Sequence, residues 1–126
     1  MPVEFEIDHG GKRVIARAFG PVVLSDILAY LDAITVENAA AYSKLFDARE
    51  AQFELTDDDM MILAARASVY ATLRPGPAAF VVDMTRDSTA FVRRYQNLAK
   101  TGRDVELFNS VEAAQQWLSY AAIRDD

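Results

Sequence analysis

Residues 45–60 read LFDAREAQFELTDDDM, and how they are taken decides the fold. The stretch opens on an apolar pair and closes at the start of a long apolar run, with six acidic side chains among its sixteen residues. Leu45 and Phe46 begin a short strand that ends near Asp47. Further on the signals change to those of a helix start. Thr56 is an N-cap residue with Asp59 three places later, the spacing of a capping box, and Leu55 and Met60 hold the two positions of a hydrophobic staple. Asp57, Asp58 and Asp59 fall in the first turn, where each carboxylate meets the positive end of the helix dipole and contributes up to ~1 kcal/mol. Successive helical residues point about 100° apart, so the three do not converge on one cation. The alternating ligands and central glycine of a calcium loop are also missing. This is a strand followed by a helix start, and no metal site is expected in it.

Upstream, Val3, Phe5 and Ile7 alternate with Glu4, Glu6 and Asp8, the period of a half-buried strand. Gly10 and Gly11 can supply the positive φ angles of a tight hairpin turn into a second strand, which Gly20-Pro21 ends. Ser25 is the expected N-cap of a helix whose stripe is Ile27, Leu28, Leu31 and Ile34. Downstream, a helix over 57–73 is stopped by Arg74-Pro75-Gly76-Pro77. The apolar run 78–82 suits a strand covered on both faces. A third helix carries Phe91, Tyr95 and Leu98 on one stripe, with Gly102 at its C-terminal end. Val105 to Phe108 is the last strand. The closing helix places Val111, Ala114, Leu118 and Ala121 on one stripe with Trp117 beside it. The order β-β-α-β-α-β-α-β-α predicts an α/β fold with a mainly parallel sheet, right-handed crossovers and an antiparallel hairpin strand at its start. The chain of 126 residues fits a single domain spanning 1–126.

Composition narrows the function. The absence of cysteine excludes disulfides, thiolate nucleophiles and zinc–thiolate sites, and suits a cytoplasmic protein. The opening MPVEFEIDHGGK alternates charge with apolar residues, unlike a signal peptide, and no run of roughly 18 apolar residues would span a bilayer. A net charge of −6 opposes binding to nucleic acid. No serine sits in a Gly-x-Ser-x-Gly elbow, and the glycines build neither a dinucleotide fingerprint nor a phosphate loop. No catalytic residue and no cofactor are expected. His9, the only histidine, lies beside a Gly-Gly turn and reads as a solvated turn residue.

Three features remain as candidates. Asp47 and Asp83 close two parallel strands, on the edge where open α/β sheets place functional groups, and a carboxylate pair there suits magnesium. The further acidic pair that phosphoryl chemistry uses is absent after the first strand. Residues 60–73, MMILAARASVYATL, hold one charge, Arg66, whereas a helix lying on a sheet normally keeps a charged face. Met61, Ala65 and Val69 are therefore candidates for a covered surface: a homodimer interface, a protein partner, an apolar ligand or a membrane. Arg86, Arg93, Arg94, Lys100 and Arg103 form a basic cluster in an acidic chain, with Arg93 and Arg94 the candidates for receiving an anionic group.

The segments RVIARAFGPVVLSDILAYLDAI, KLFDAREAQFELTDDDM, DSTAFVRRYQNLAKTG and VELFNSVEAAQQWL, in that order and spacing, resemble the SpoIIAA-like, STAS-type domains, above all their small stand-alone bacterial branch. The resemblance implies a sheet with strands in sequential order and its main helices on one face. In partner-switching members a serine after the third strand is phosphorylated; the matching stretch 47–56 holds no serine, and Thr56 is its only hydroxyl. Some stand-alone members resemble lipid carriers, a role that the apolar helix and Arg93/Arg94 would suit. The expected function is a non-catalytic regulatory or interaction module that acts by protein binding. A binder of an apolar anionic ligand or membrane surface is the alternative.

Overall fold

The computed structural model describes residues 2–83, 90, 93, 94 and 105–124, the last four of these by backbone alone. Its strands are β1 (Val3–Asp8), β2 (Arg13–Val22), β3 (Ser43–Phe53), β4 (Ala78–Val81) and β5 (Val105–Phe108). The helices are α1 (Leu24–Val36), α2 (Asp57–Ala71) and α3 (Val111–Arg124). The helix predicted between β4 and β5 lies outside the described residues, apart from Ala90, Arg93 and Arg94, which are helical. The sheet order is β1-β2-β3-β4-β5, with β1 antiparallel to β2 and every other pair parallel.

Strand alternation sends side chains to two faces. On one, Val14, Ala16, Ala18 and Phe46 meet Tyr30, Leu31 and Ile34 of α1 and Met60 and Leu63 of α2. Four rings cross this layer edge to face or tilted: Phe5 to Tyr30 at 5.4 Å, Tyr30 to Phe46 at 5.3 Å, and Phe46 to Phe80 at 5.3 Å. Ile34, Leu63, Val14 and Val22 are fully buried, and each such side chain contributes about 1.5–3 kcal/mol. On the other face Leu45, Ala79 and Val81 pack under Ala114, Trp117 and Leu118 of α3. Among the described residues, the packing partners of that helix lie on β3, β4 and β5.

Four local expectations are corrected. The left-handed turn residue of the hairpin is Lys12, with φ 53°, rather than Gly10 or Gly11. Gly11 lies close to Asp8: a Cβ there would sit 2.5 Å from the carboxylate that accepts a hydrogen bond from the Gly11 N–H, so the Asp8 side chain would have to shift. Gly20, with φ 68°, bends β2 without ending it, and the strand runs on to Val22. The N-cap of α1 is Val23, not Ser25, because the Asp26 carboxylate reaches back to the Val23 N–H at 2.9 Å. Finally β3 does not stop near Asp47. It continues through the polar residues to Phe53, pairing with β2 as far as Val22.

That extension passes through a bulge. Asp47 pairs with Arg17 and Glu50 with Phe19, so two residues of β3 oppose one of β2. Arg49 folds back on Asp47 at this point: Nε donates to Oδ1 at 2.9 Å, Nη2 to Oδ2 at 2.8 Å and the backbone N–H to Oδ1 at 3.2 Å. Pairing with β4 runs only from Lys44 to Asp47.

At the opposite end of β3, Lys44 is buried. Its Nζ donates to the carbonyls of Ala40 at 2.6 Å and Tyr42 at 2.8 Å and stands 5.9 Å from the centre of the Tyr70 ring. Desolvation pushes its pKa down to about 8. Gly76 presses on the same loop, where a Cβ would lie 2.3 Å from the Ala41 oxygen.

Candidate functional site: the outward face of helix 2

The start of α2 is fixed as expected. Thr56 Oγ1 accepts from the Asp59 N–H and the Asp59 carboxylate accepts from the Thr56 N–H, each at 3.0 Å. With the helix clamped, its phase is set by Met60, Leu63 and Ala67, which are buried against the sheet. At about 100° per residue, positions 61, 65 and 69 then face away from it.

Met61 is 72% exposed and Val69 65%, with exposed Ala65 between them at spacings of four. Ile62 and Leu73, which the sequence does not single out, widen the same apolar surface. Their signal was adjacency to Met61 and Val69 in a run with one charge. Ser68 and Thr72, also exposed, donate their hydroxyls to their own helix, to the carbonyls of Ala64 and Val69. The surface is therefore poorer in free polar groups than its sequence suggests.

Arg66 does not interrupt this surface, since its guanidinium turns aside to the Asp32 carboxylate of α1. At the N-terminal end Arg94 donates to Asp57 at 3.0 Å, tying its helical segment to the first turn of α2. Arg93 is exposed. Arg86, Lys100 and Arg103 lie outside the described residues.

Asp47 is not part of this arrangement. It shares the sheet face of Leu45, opposite to the face that α2 covers, and both of its oxygens accept from Arg49. The Arg49 hydrogen bonds hold its carboxyl below the usual range, against the desolvation that would raise it. The expectation that Asp47 closes its strand is thus corrected: it sits in mid-strand, and Asp83 follows β4 by two residues. His9 likewise departs from a purely solvated turn residue. It is half exposed, yet Nδ1 lies 2.8 Å from the Tyr42 hydroxyl and Nε2 3.4 Å from Glu37, linking the hairpin turn to the end of α1. No helix among the described residues is long and apolar enough to cross a membrane.

The sequential sheet, the antiparallel first strand and the helix placement together define a SpoIIAA-like, STAS-type fold. Among solved structures, an uncharacterised DUF3478-family protein with a SpoIIAA-like fold from Shewanella loihica PV-4 matches with TM-score 0.61 and 14% identity, over 92% of this chain and 93% of that one. The anti-sigma factor antagonist SpoIIAA in its unphosphorylated form matches with TM-score 0.53 and 10% identity, over 88% and 91%. The Bacillus cell fate determinant SpoIIAA in its phosphorylated form gives 0.53 and 14%, over 90% and 97%. At such identities the likeness shows the fold alone. No family model matches the chain, and no curated protein does.

Proposed function

We propose that this chain is a non-catalytic regulatory or interaction module that binds protein through the outward face of α2, and that a second copy of itself is one such partner. The observation that carries the reading is the exposed stripe of Met61, Ala65 and Val69 on a helix whose other side is firmly packed. The stripe is also self-complementary. Turned end for end about Ala65, Met61 meets the position of Val69, and the small alanine at the centre lets two helices approach closely. Asp58 at one end then comes near Arg74 at the other; both are exposed. The SpoIIAA neighbours, an anti-sigma factor antagonist and a cell fate determinant, support a regulatory setting. In this chain Thr56, the only hydroxyl of the stretch 47–56, already caps α2.

Sedimentation velocity tests the surface. The native chain is expected to self-associate with increasing concentration, and Val69→Asp to remain monomeric with an unchanged circular dichroism spectrum. A native chain that stays monomeric at all concentrations ends the second-copy reading.

Exposed Arg93, next in sequence to the Arg94 that reaches Asp57, supports the alternative, an anionic apolar ligand or membrane contact. Three aspartates in the first turn of α2 oppose an anionic membrane, which places this reading second. Flotation with anionic vesicles separates the two: binding that Arg93→Glu with Arg94→Glu abolishes would reverse their order.

A further inference from the structure

On the sheet face away from α2, the geometry points to a second site: a cleft for a small amphiphilic anion, with a carboxylate or similar head and an apolar body. Among the described residues α3 packs on β3, β4 and β5, and a gap lies between its flank and the start of β2. The gap has a volume of ≈ 570 Å³, within the range of small-molecule pockets. Ile15 and Leu45 form its floor, Leu118 and Gln115 one wall, and Lys12 and Arg13 its end. Ile15 is 45% exposed there, although it is a large β-branched side chain in the second strand of a five-stranded sheet.

The cationic end is what gives the cleft its chemistry. Arg13 stands opposite Asp8 in the hairpin register, the natural place for a cross-strand ion pair. Asp8 instead spends an oxygen on the Gly11 N–H at 2.9 Å. Among the described residues neither Lys12 nor Arg13 has a carboxylate within ion-pair distance, in a chain of net charge −6. Lys12 takes the left-handed conformation of the hairpin turn, which fixes it at the end of the cleft. Ser43 N–H donates to the Lys12 carbonyl at 3.2 Å and holds the turn against the cleft. Two uncompensated cations beside an apolar floor select a ligand that offers both an anion and a hydrocarbon surface.

The test uses the full chain and an amide NMR titration with sodium decanoate, with decanol as the uncharged control. Saturable shifts are expected at Lys12, Arg13, Ile15 and Gln115, with decanol at least tenfold weaker. Lys12→Glu with Arg13→Glu should weaken decanoate at least tenfold while keeping the native spectrum, and Ile15→Ser should do the same through the floor. Should the charge reversal unfold the chain, Arg13→Gln serves in its place with a smaller but measurable loss. Equal binding of decanoate and decanol, shifts confined to the α2 face, or no saturable shifts would each overturn the site. None of these results bears on self-association through α2, which is read by sedimentation.

Discussion

Arg49 and Asp47, two residues apart on one strand, close a fork in which both carboxylate oxygens accept from the same guanidinium, at the point where β3 takes up its extra residue. The pair belongs to the backbone geometry of the bulge. Without the bulge β3 would keep a simple alternation, and a one-residue slip reverses the faces of everything beyond it.

Asp47→Asn should therefore loosen the bulge and lower stability by about 0.5–1 kcal/mol, the usual size of a partly exposed ion pair. The pH dependence has a definite sign. A folded pKa held below the unfolded value gives stability that is present above the unfolded pKa and lost as pH falls through the folded one. Urea unfolding at pH 7 and pH 3 should show the native advantage over the variant at the first and a diminished one at the second.

Lys44 carries the opposite kind of linkage. Its folded pKa of about 8 lies below the ordinary lysine value of 10.5, so between them the unfolded chain keeps a proton that the folded chain has released. Stability contributed by this group rises with pH across that window, by about 3 kcal/mol in all. Lys44→Met should remove the rise, which urea titrations at pH 7.5 and pH 10 would detect. Equal slopes in both proteins would show that Lys44 stays charged inside, held by the two carbonyls and the tyrosine ring.

Thr56→Ala deletes one arm of the capping box and should cost about 1 kcal/mol, with Thr56→Ser close to native. Amide exchange in the first turn of α2 gives a second readout: the Asp59 amide should lose protection in the alanine variant only.

Gly76→Ala sets a methyl group against the backbone carbonyls of Ala41 and Tyr42, at 2.3 and 2.5 Å, where no flexible side-chain end can give way. Overpacking of this kind typically costs about 1–3 kcal/mol, and the upper end is expected here. Gly20→Ala meets open space and bears only the left-handed backbone penalty of roughly 1–2 kcal/mol. Thermal melts of the two variants should rank them in that order.

The fold was legible where periodicity and capping agreed. The alternation of Val3, Phe5 and Ile7 marked β1, and the Thr56–Asp59 box marked the start of α2. The length of β3 was not legible. Among the described residues Glu50 to Phe53 pair with β2 and not with β4, which ends opposite Asp47, so that portion tolerates the polar residues that sequence patterns assign to loops. The start of α1 was hidden for another reason: Asp26, inside the helix, supplies the cap that Ser25 was expected to give. As for the site, the single charge of residues 60–73 drew attention to this helix, and the structure leaves Met61, Ala65 and Val69 exposed on it. Asp47 misled because its strand-end position depended on a boundary that the bulge moves. The Lys12–Arg13 cleft had no local signal at all, since its lining comes from the hairpin, β2, β3 and α3, which are distant in sequence.

The β1-β2-β3-β4-β5 order also bears on how the molecule is made. Each strand pairs with the strand synthesised just before it, so a nascent chain lays every new strand on the edge left by its predecessor. No interior slot has to be held open for a segment that emerges later. At every pause, however, the newest strand offers unpaired backbone groups to any neighbour. A chain halted after β3 would present its longest strand, Ser43–Phe53, as a bare edge. Strand order here amounts to an assembly schedule whose most vulnerable moment lies between β3 and β4.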